Sequence, residues 1–138
     1  MRLLNILMSG VLLIKIKRIY DRYDISDGTA VLVDRLWPRG VRKTTPNVEI
    51  WLKEIGPSDE LRKWWGHEPN HWKGFVLRYT KELKTNKAVR KLVDIIGAHG
   101  TVTLMYATSD RQHNNAVVLK DYIKANMKRI RNEMRNGD

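Results

Sequence analysis

Val31-Leu-Val-Asp-Arg-Leu-Trp-Pro-Arg-Gly-Val41 joins a short apolar run to two arginines, a tryptophan and a Pro/Gly break. Consecutive apolar residues bounded by turn formers read as a strand buried on both faces, the pattern of a parallel sheet. Pro38 and Gly40 end it, because proline offers a ladder no N–H and glycine accepts the backbone angles of a tight turn. The strand is expected over residues 29–35, delivering charge at its carboxyl end.

A second stretch, Thr101-Val-Thr-Leu-Met-Tyr-Ala-Thr-Ser-Asp-Arg-Gln-His-Asn-Asn115, repeats the design, with an apolar strand over residues 101–107 and then a loop of anion-binding and proton-moving groups. The two strands lie roughly 65 residues apart, ample for a right-handed crossover that makes them parallel with their carboxyl ends on one side. Clefts of open α/β sheets lie at that side.

Outward from this pair, Ile14 and Ile16 alternate with Lys15 and Lys17, the two-residue period of a half-buried strand spanning residues 12–20. Asp21 to Gly28 is rich in turn formers. Val48, Trp51, Leu52 and Ile55 fall on one face at helical spacing, with Gly56-Pro57 as the stop. Ser58 reads as the N-cap of a short helix that carries Trp64 and Trp65 and ends at Gly66. Trp72, Phe75, Val76, Tyr79 and Leu83 mark a further helix, and Ala88, Leu92, Ile95 and Ile96 another. A long amphipathic helix follows, outlined by Ala116, Leu119, Ile123, Met127, Ile130 and Met134. The expected fold is α/β: one compact domain over residues 11–135, with a small, mainly parallel sheet of three to four strands flanked by helices. Three strands make a small sheet, and an irregular strand near the N-terminus would supply a fourth.

Composition narrows the chemistry. With 138 residues the chain suits one domain. It contains no cysteine, which excludes disulfides, thiolate nucleophiles and iron–sulfur clusters. Residues 1–10 imitate a secretion signal with an early arginine and an apolar run, but Asn5, Ser9 and Gly10 interrupt it and no small-residue cleavage site follows. They are read as an N-terminal extension of a cytoplasmic protein that does not enter a membrane. Net charge is +11 and the excess is spread evenly along the chain, the pattern of a solvated surface more than of a nucleic-acid tail.

Several tryptophan-containing words carry a family resemblance: Val-Asp-Arg-Leu-Trp-Pro-Arg-Gly at 33–40, Trp-Leu-Lys-Glu-Ile-Gly-Pro-Ser at 51–58, Leu-Arg-Lys-Trp at 61–64, Gly-His-Glu-Pro at 66–69 and Thr-Leu-Met-Tyr-Ala at 103–107. In this order they resemble the YeaO-like, short branch of domain-of-unknown-function family 488. The resemblance implies a compact, cytoplasmic α/β domain and no assigned reaction. The family's longer branch ends its last strand with a cysteine and follows it with Cys-His-Arg. Here Tyr106 and His113-Asn114-Asn115 stand at those places, so no thiol chemistry carries over. Gln112-His113-Asn114-Asn115 is similar to the short branch's Glu-His-Asn-His, with Asn115 replacing the second histidine.

The candidate ligand-binding residues are Arg35, Trp37, Arg39, Gly40 and Tyr106. Arg35 and Arg39 flank a Trp-Pro bend, and planar guanidinium forks suit phosphate or carboxylate. Trp37 offers a stacking face and Gly40 close backbone access. The plainer reading pairs Arg35 with Asp34 or another carboxylate and leaves Arg39 in solvent. The candidate catalytic residues are His113 as proton carrier, Asp110 to orient it and Asn114 to stabilise developing charge, all near a helix N-terminus that favours anions. Against this stands a capping role for Asp110 and a surface role for His113. His67-Glu68-Pro69-Asn70-His71 matches the letters of a zinc-protease motif, but Pro69 breaks the single helix that motif requires. No metal site or cofactor is assigned. The expectation is an anion-binding cleft for a phosphate-bearing small molecule or nucleotide, with hydrolase or transferase chemistry if catalytic. The alternative is a non-catalytic nucleic-acid-binding or regulatory module.

Overall fold

The computed structural model describes residues 13–137, so the expected extension and Leu12 lie outside the described residues. Four parallel strands, β1 (Ile14–Arg18), β2 (Thr29–Leu32), β3 (Ile50–Trp51) and β4 (Val102–Tyr106), lie in the order β1-β4-β2-β3. The central position of β4 explains its unbroken apolar character: every one of its residues is buried. Its register runs from Ile14↔Val102 to Arg18↔Tyr106 on one side and from Thr29↔Val102 to Leu32↔Met105 on the other. Because β2 and β4 are parallel neighbours, their carboxyl ends emerge together, as the crossover argument requires.

Among the described residues, four helices follow from the spacings and caps. They are α1 (Asp59–Trp65), α2 (Trp72–Thr85), α3 (Ala88–His99) and α4 (Asn115–Arg135). Ser58 Oγ accepts the Leu61 N–H at 3.1 Å, and Gly66 closes α1 in the left-handed region. Phe75, Tyr79, Leu92, Ile96, Leu119 and Ile123 pack with Val31, Val33 and Leu104 in the larger core. The opposite face, with Ala30, Leu32 and Met105, is covered by Trp37, Val41, Val48 and Trp51 from the loop after β2 and from β3. A loop in place of a helix on this side leaves the carboxyl end of β2 open.

The helix expected over Val48, Trp51, Leu52 and Ile55 is instead the fourth strand and a single 3-10 turn, Lys53–Ile55. Ile50 and Trp51 pair with Val31 and Leu32, and the ladder extends through Glu49 N–H to Ala30 O at 2.8 Å and Leu52 N–H to Leu32 O at 2.9 Å. Pro46 and Gly56-Pro57 bound a segment too short to offset helix nucleation, whereas the exposed edge of β2 supplies partners at once. Among the described residues the fourth strand therefore comes from the middle of the chain.

The amino end of the sheet is closed by polar groups. Asp27 is fully buried, with Lys15 Nζ at 2.8 Å and Lys17 Nζ at 2.6 Å. Its main-chain carbonyl accepts Thr103 Oγ1–H at 2.6 Å. Gly28 follows at φ 64°, where a Cβ would stand 2.3 Å from the Thr101 carbonyl oxygen. Only glycine fits there.

Candidate ligand-binding cleft

A cleft of about 350 Å³ opens where β2 and β4 end. Arg35, Trp37 and Arg39 line it from the loop after β2, Arg62 and Trp65 from α1, and Asn115 from the first turn of α4.

The two arginines of the Trp-Pro bend have different roles. Arg35 donates Nε–H to Pro57 O at 2.8 Å and Nη2–H to Gly56 O at 2.9 Å. Two of its five donors thus tie the loop after β2 to the turn before α1. It does not pair with Asp34. Arg39 is exposed, and its side chain has no hydrogen bond or ion pair among the described residues; only its carbonyl is used, accepting Tyr20 Oη–H at 2.7 Å.

Trp37 donates Nε1–H to Val41 O at 2.7 Å, meets Trp51 edge-on at 5.3 Å and has Lys43 Nζ 4.0 Å from its ring centroid. One face is therefore occupied by a cation, and the ring forms an apolar wall. Gly40, at φ 77°, has open space around it and makes the turn that presents Arg39. Tyr106 is buried, burial pushes its hydroxyl above the ordinary range, and it does not line the cleft.

Among the cleft residues that the sequence did not mark as site residues are Asp34, Arg62 and Asn115. Asp34 accepts the Ala107 N–H on Oδ2 at 3.0 Å. Burial raises its carboxyl above the usual range, and the nearby Asn115 amide, the Ala107 N–H and the charge of Arg62 offset this only in part. Arg62 pairs through Nη2 with Asp59 at 2.9 Å, while its Nε is buried with no hydrogen-bond partner. Asn115 donates to Val33 O at 3.0 Å, tying α4 to the end of β2. Asp34 had a visible signal in its place directly after a buried parallel strand. Arg62 had none, since a helical arginine three residues after an aspartate looks like any surface pair.

The proposed proton machinery lies next door. Asp110 and His113 line a separate cavity of about 540 Å³, which shares Trp65 and His67 with the cleft. His113 Nδ1 is 3.0 Å from Asp110 Oδ2, and its ring meets Trp72 edge-on at 5.0 Å. The N–H groups of His113 and Gln112 hold the Asp110 carboxyl below its ordinary value. Asn114 is fully buried: it caps α4 by accepting the Val117 N–H at 3.0 Å and donates to Asp110 O at 3.0 Å. Both functional ends of its amide are thus engaged inside the protein.

His67 lies in the left-handed region at φ 58°, and its ring rests on Trp65 at 4.4 Å. A 3-10 turn begins only at Pro69, so the two histidines of the zinc-protease letters do not share a helix. His71 is half-buried; it stacks on Trp64 at 4.3 Å and hydrogen-bonds to Trp64 O at 2.9 Å. Among the described residues no three histidine, aspartate or glutamate side chains gather to hold a metal ion, and no helix is long and apolar enough to cross a membrane.

The family described as "Inactive DUF488-N3 subclade" matches residues 13–137. The chain belongs to the DUF488 family. Its similarity to other members spans most of their length. Uncharacterised proteins of Mycobacterium tuberculosis and Mycobacterium bovis are each 40% identical over 106 residues, which is 77% of this chain and 89% of theirs. The uncharacterised protein YeaO of Escherichia coli is 39% identical over 112 residues, 81% of this chain and 97% of YeaO. No solved structure matches significantly. This DUF488 chain thus stands among relatives whose names record no activity.

Proposed function

We propose that this DUF488 domain is a binding module whose cleft takes a phosphate-bearing small molecule or nucleotide, with Arg39 and Arg62 as the anion donors. The observation that carries the reading is Arg39, exposed at the cleft with no side-chain partner among the described residues, together with Arg62, which lines the same cleft and whose buried Nε has no hydrogen-bond partner. Buried polar groups are almost always satisfied, so a donor left over at a cleft wall suits an acceptor brought by a ligand. Trp37, Pro38 and Trp65 give the apolar walls of a small-molecule site, and the volume lies within the range of such sites.

Binding without turnover is the version proposed. His113 and Asp110 stand in the adjoining cavity and Asn114 is engaged as a helix cap. The description of the matching subclade as inactive supports the same choice.

The test is a thermal-shift screen of nucleotides, sugar phosphates and inorganic phosphate on the wild type and Arg39→Ala. A ligand at 100 times its Kd stabilises by about 2.7 kcal/mol. A shift in the wild type that Arg39→Ala removes supports the cleft. A ligand that shifts both proteins equally refutes it.

The nucleic-acid reading draws on Lys43 and Lys53, which lie over the Trp37 and Trp51 rings beside the cleft. Those cations cover ring faces that base stacking would need, so this module would hold phosphates alone. Its signature is affinity for short RNA or DNA falling steeply with salt.

A further inference from the structure

Asp34 lines the same cleft with the opposite charge. A carboxylate beside an anion site weakens that site by repulsion, and the fold does not require the charge. The internal hydrogen bond to this carboxylate comes from the Ala107 N–H, and a neutral amide oxygen would accept it equally well. No ion pair engages Asp34 among the described residues. Arg35, its neighbour in sequence, is turned to the carbonyls of Gly56 and Pro57. A carboxylate has about four acceptor positions, of which this internal donor takes one.

What a carboxylate adds to a pocket wall is the ability to accept a pair of adjacent N–H donors. Resting on the reading of the cleft as a nucleotide-type anion site, we infer that Asp34 selects the ring of the ligand. The cleft takes a phosphate-bearing ring with adjacent ring N–H and exocyclic amino donors, as in guanine, over one that presents a ring acceptor there, as in adenine. The burial that raises the Asp34 carboxyl is offset by such a donor pair, and an acceptor in its place leaves two electron-rich atoms facing each other in a partly dry site. Sites built around a polar group discriminate strongly against ligands that leave it unmatched.

Calorimetric titration of GMP, IMP, AMP and ribose 5-phosphate into the wild type, Asp34→Asn and Arg39→Ala tests this. The wild type is expected to bind GMP at least about tenfold more tightly than AMP, with IMP between them because it keeps the ring N–H and lacks the amino group. Asp34→Asn should collapse that order and bind ribose 5-phosphate at least as tightly as the wild type, because the repulsion on the phosphate is gone. Equal binding of GMP and AMP by the wild type, still dependent on Arg39, overturns the role of Asp34 and leaves the anion site standing; so does a GMP preference that survives in Asp34→Asn. Absence of binding by all four probes, or binding indifferent to Arg39→Ala, overturns the cleft reading itself. The wild-type comparison of GMP with AMP decides the question even if Asp34→Asn does not fold.

Discussion

Asp27 and Asp34 flank the same four-residue strand in opposite electrostatic states. Burial pushes the Asp27 carboxyl up, but hydrogen bonds from Lys15 and Lys17 and the Asp24 N–H outweigh it and hold the group at about 2. Burial wins at Asp34, where no cation forms an ion pair among the described residues and the carboxyl rises. The amino end of β2 is thus closed and self-satisfied. The carboxyl end keeps a carboxylate and arginine donors uncompensated, the condition in which groups at functional sites are commonly found. Stability and binding capacity are concentrated at different ends of one strand.

The largest test of this contrast uses two glycines, both at positive φ. Gly28→Ala at the amino end puts a Cβ 2.3 Å from a backbone oxygen that cannot move without shifting β4. A loss above about 4 kcal/mol in urea unfolding is expected, enough to unfold a marginal domain. Gly40→Ala at the carboxyl end meets open space and should cost only the left-handed strain, about 1 kcal/mol. Similar losses at the two positions would break the division into a closed end and an open one.

Asp27→Asn comes next. It removes the charge that two lysines share, and breaking a buried ion pair typically costs about 3–5 kcal/mol. Lys15 is 41% exposed and its share is screened, so about 2–3 kcal/mol is expected. The wild type should also carry the pH signature of a depressed carboxyl. Stability from Asp27 is present above the ordinary value of 3.8 and lost as pH falls through about 2. Asp27→Asn should lack that component of acid sensitivity in denaturant titrations between pH 5 and 2.

The elements were more legible than either end of β2, because strands and caps announce themselves locally, whereas the pairing of Asp27 with Lys15 and Lys17 does not. Val31-Leu-Val33 and Val102 to Tyr106 are read from contiguous residues, and Ser58 and Gly66 bracket α1 by chemistry within a few positions. Ile50-Trp51 was missed because a two-residue strand has no period of its own; the spacing of Val48, Trp51, Leu52 and Ile55 fits a helix, and only the edge of β2 decides otherwise. The same limit explains the site. Arg35 and Arg39 look alike in sequence, and what separates them is a pair of carbonyls 21 and 22 residues away. Asp110 and His113 are neighbours in both sequence and space, yet Trp65 and His67, from α1 and the loop after it, line both their cavity and the cleft. Contacts between distant segments assign these roles, and composition and spacing do not report them.

The smallest effect has the opposite sign. If the Asp34 charge serves a ligand and not the fold, Asp34→Asn should stabilise the protein without ligand at neutral pH, by about 0.5–1 kcal/mol, as removal of an uncompensated charge does. The asparagine oxygen still accepts the Ala107 N–H, so no internal hydrogen bond need be lost. The pH dependence follows from the raised carboxyl. A group with its folded-state pKa above the unfolded value of 3.8 contributes stability below that value and loses it as pH rises through the raised one. Wild type and Asp34→Asn should therefore be nearly equal in stability at pH 3 and diverge in favour of the variant as pH rises, a trend opposite in sign to the one expected at Asp27. Denaturant midpoints across that range measure it. A variant less stable than the wild type at pH 7 would make Asp34 a structural group like Asp27, and the two ends of β2 would no longer differ in kind.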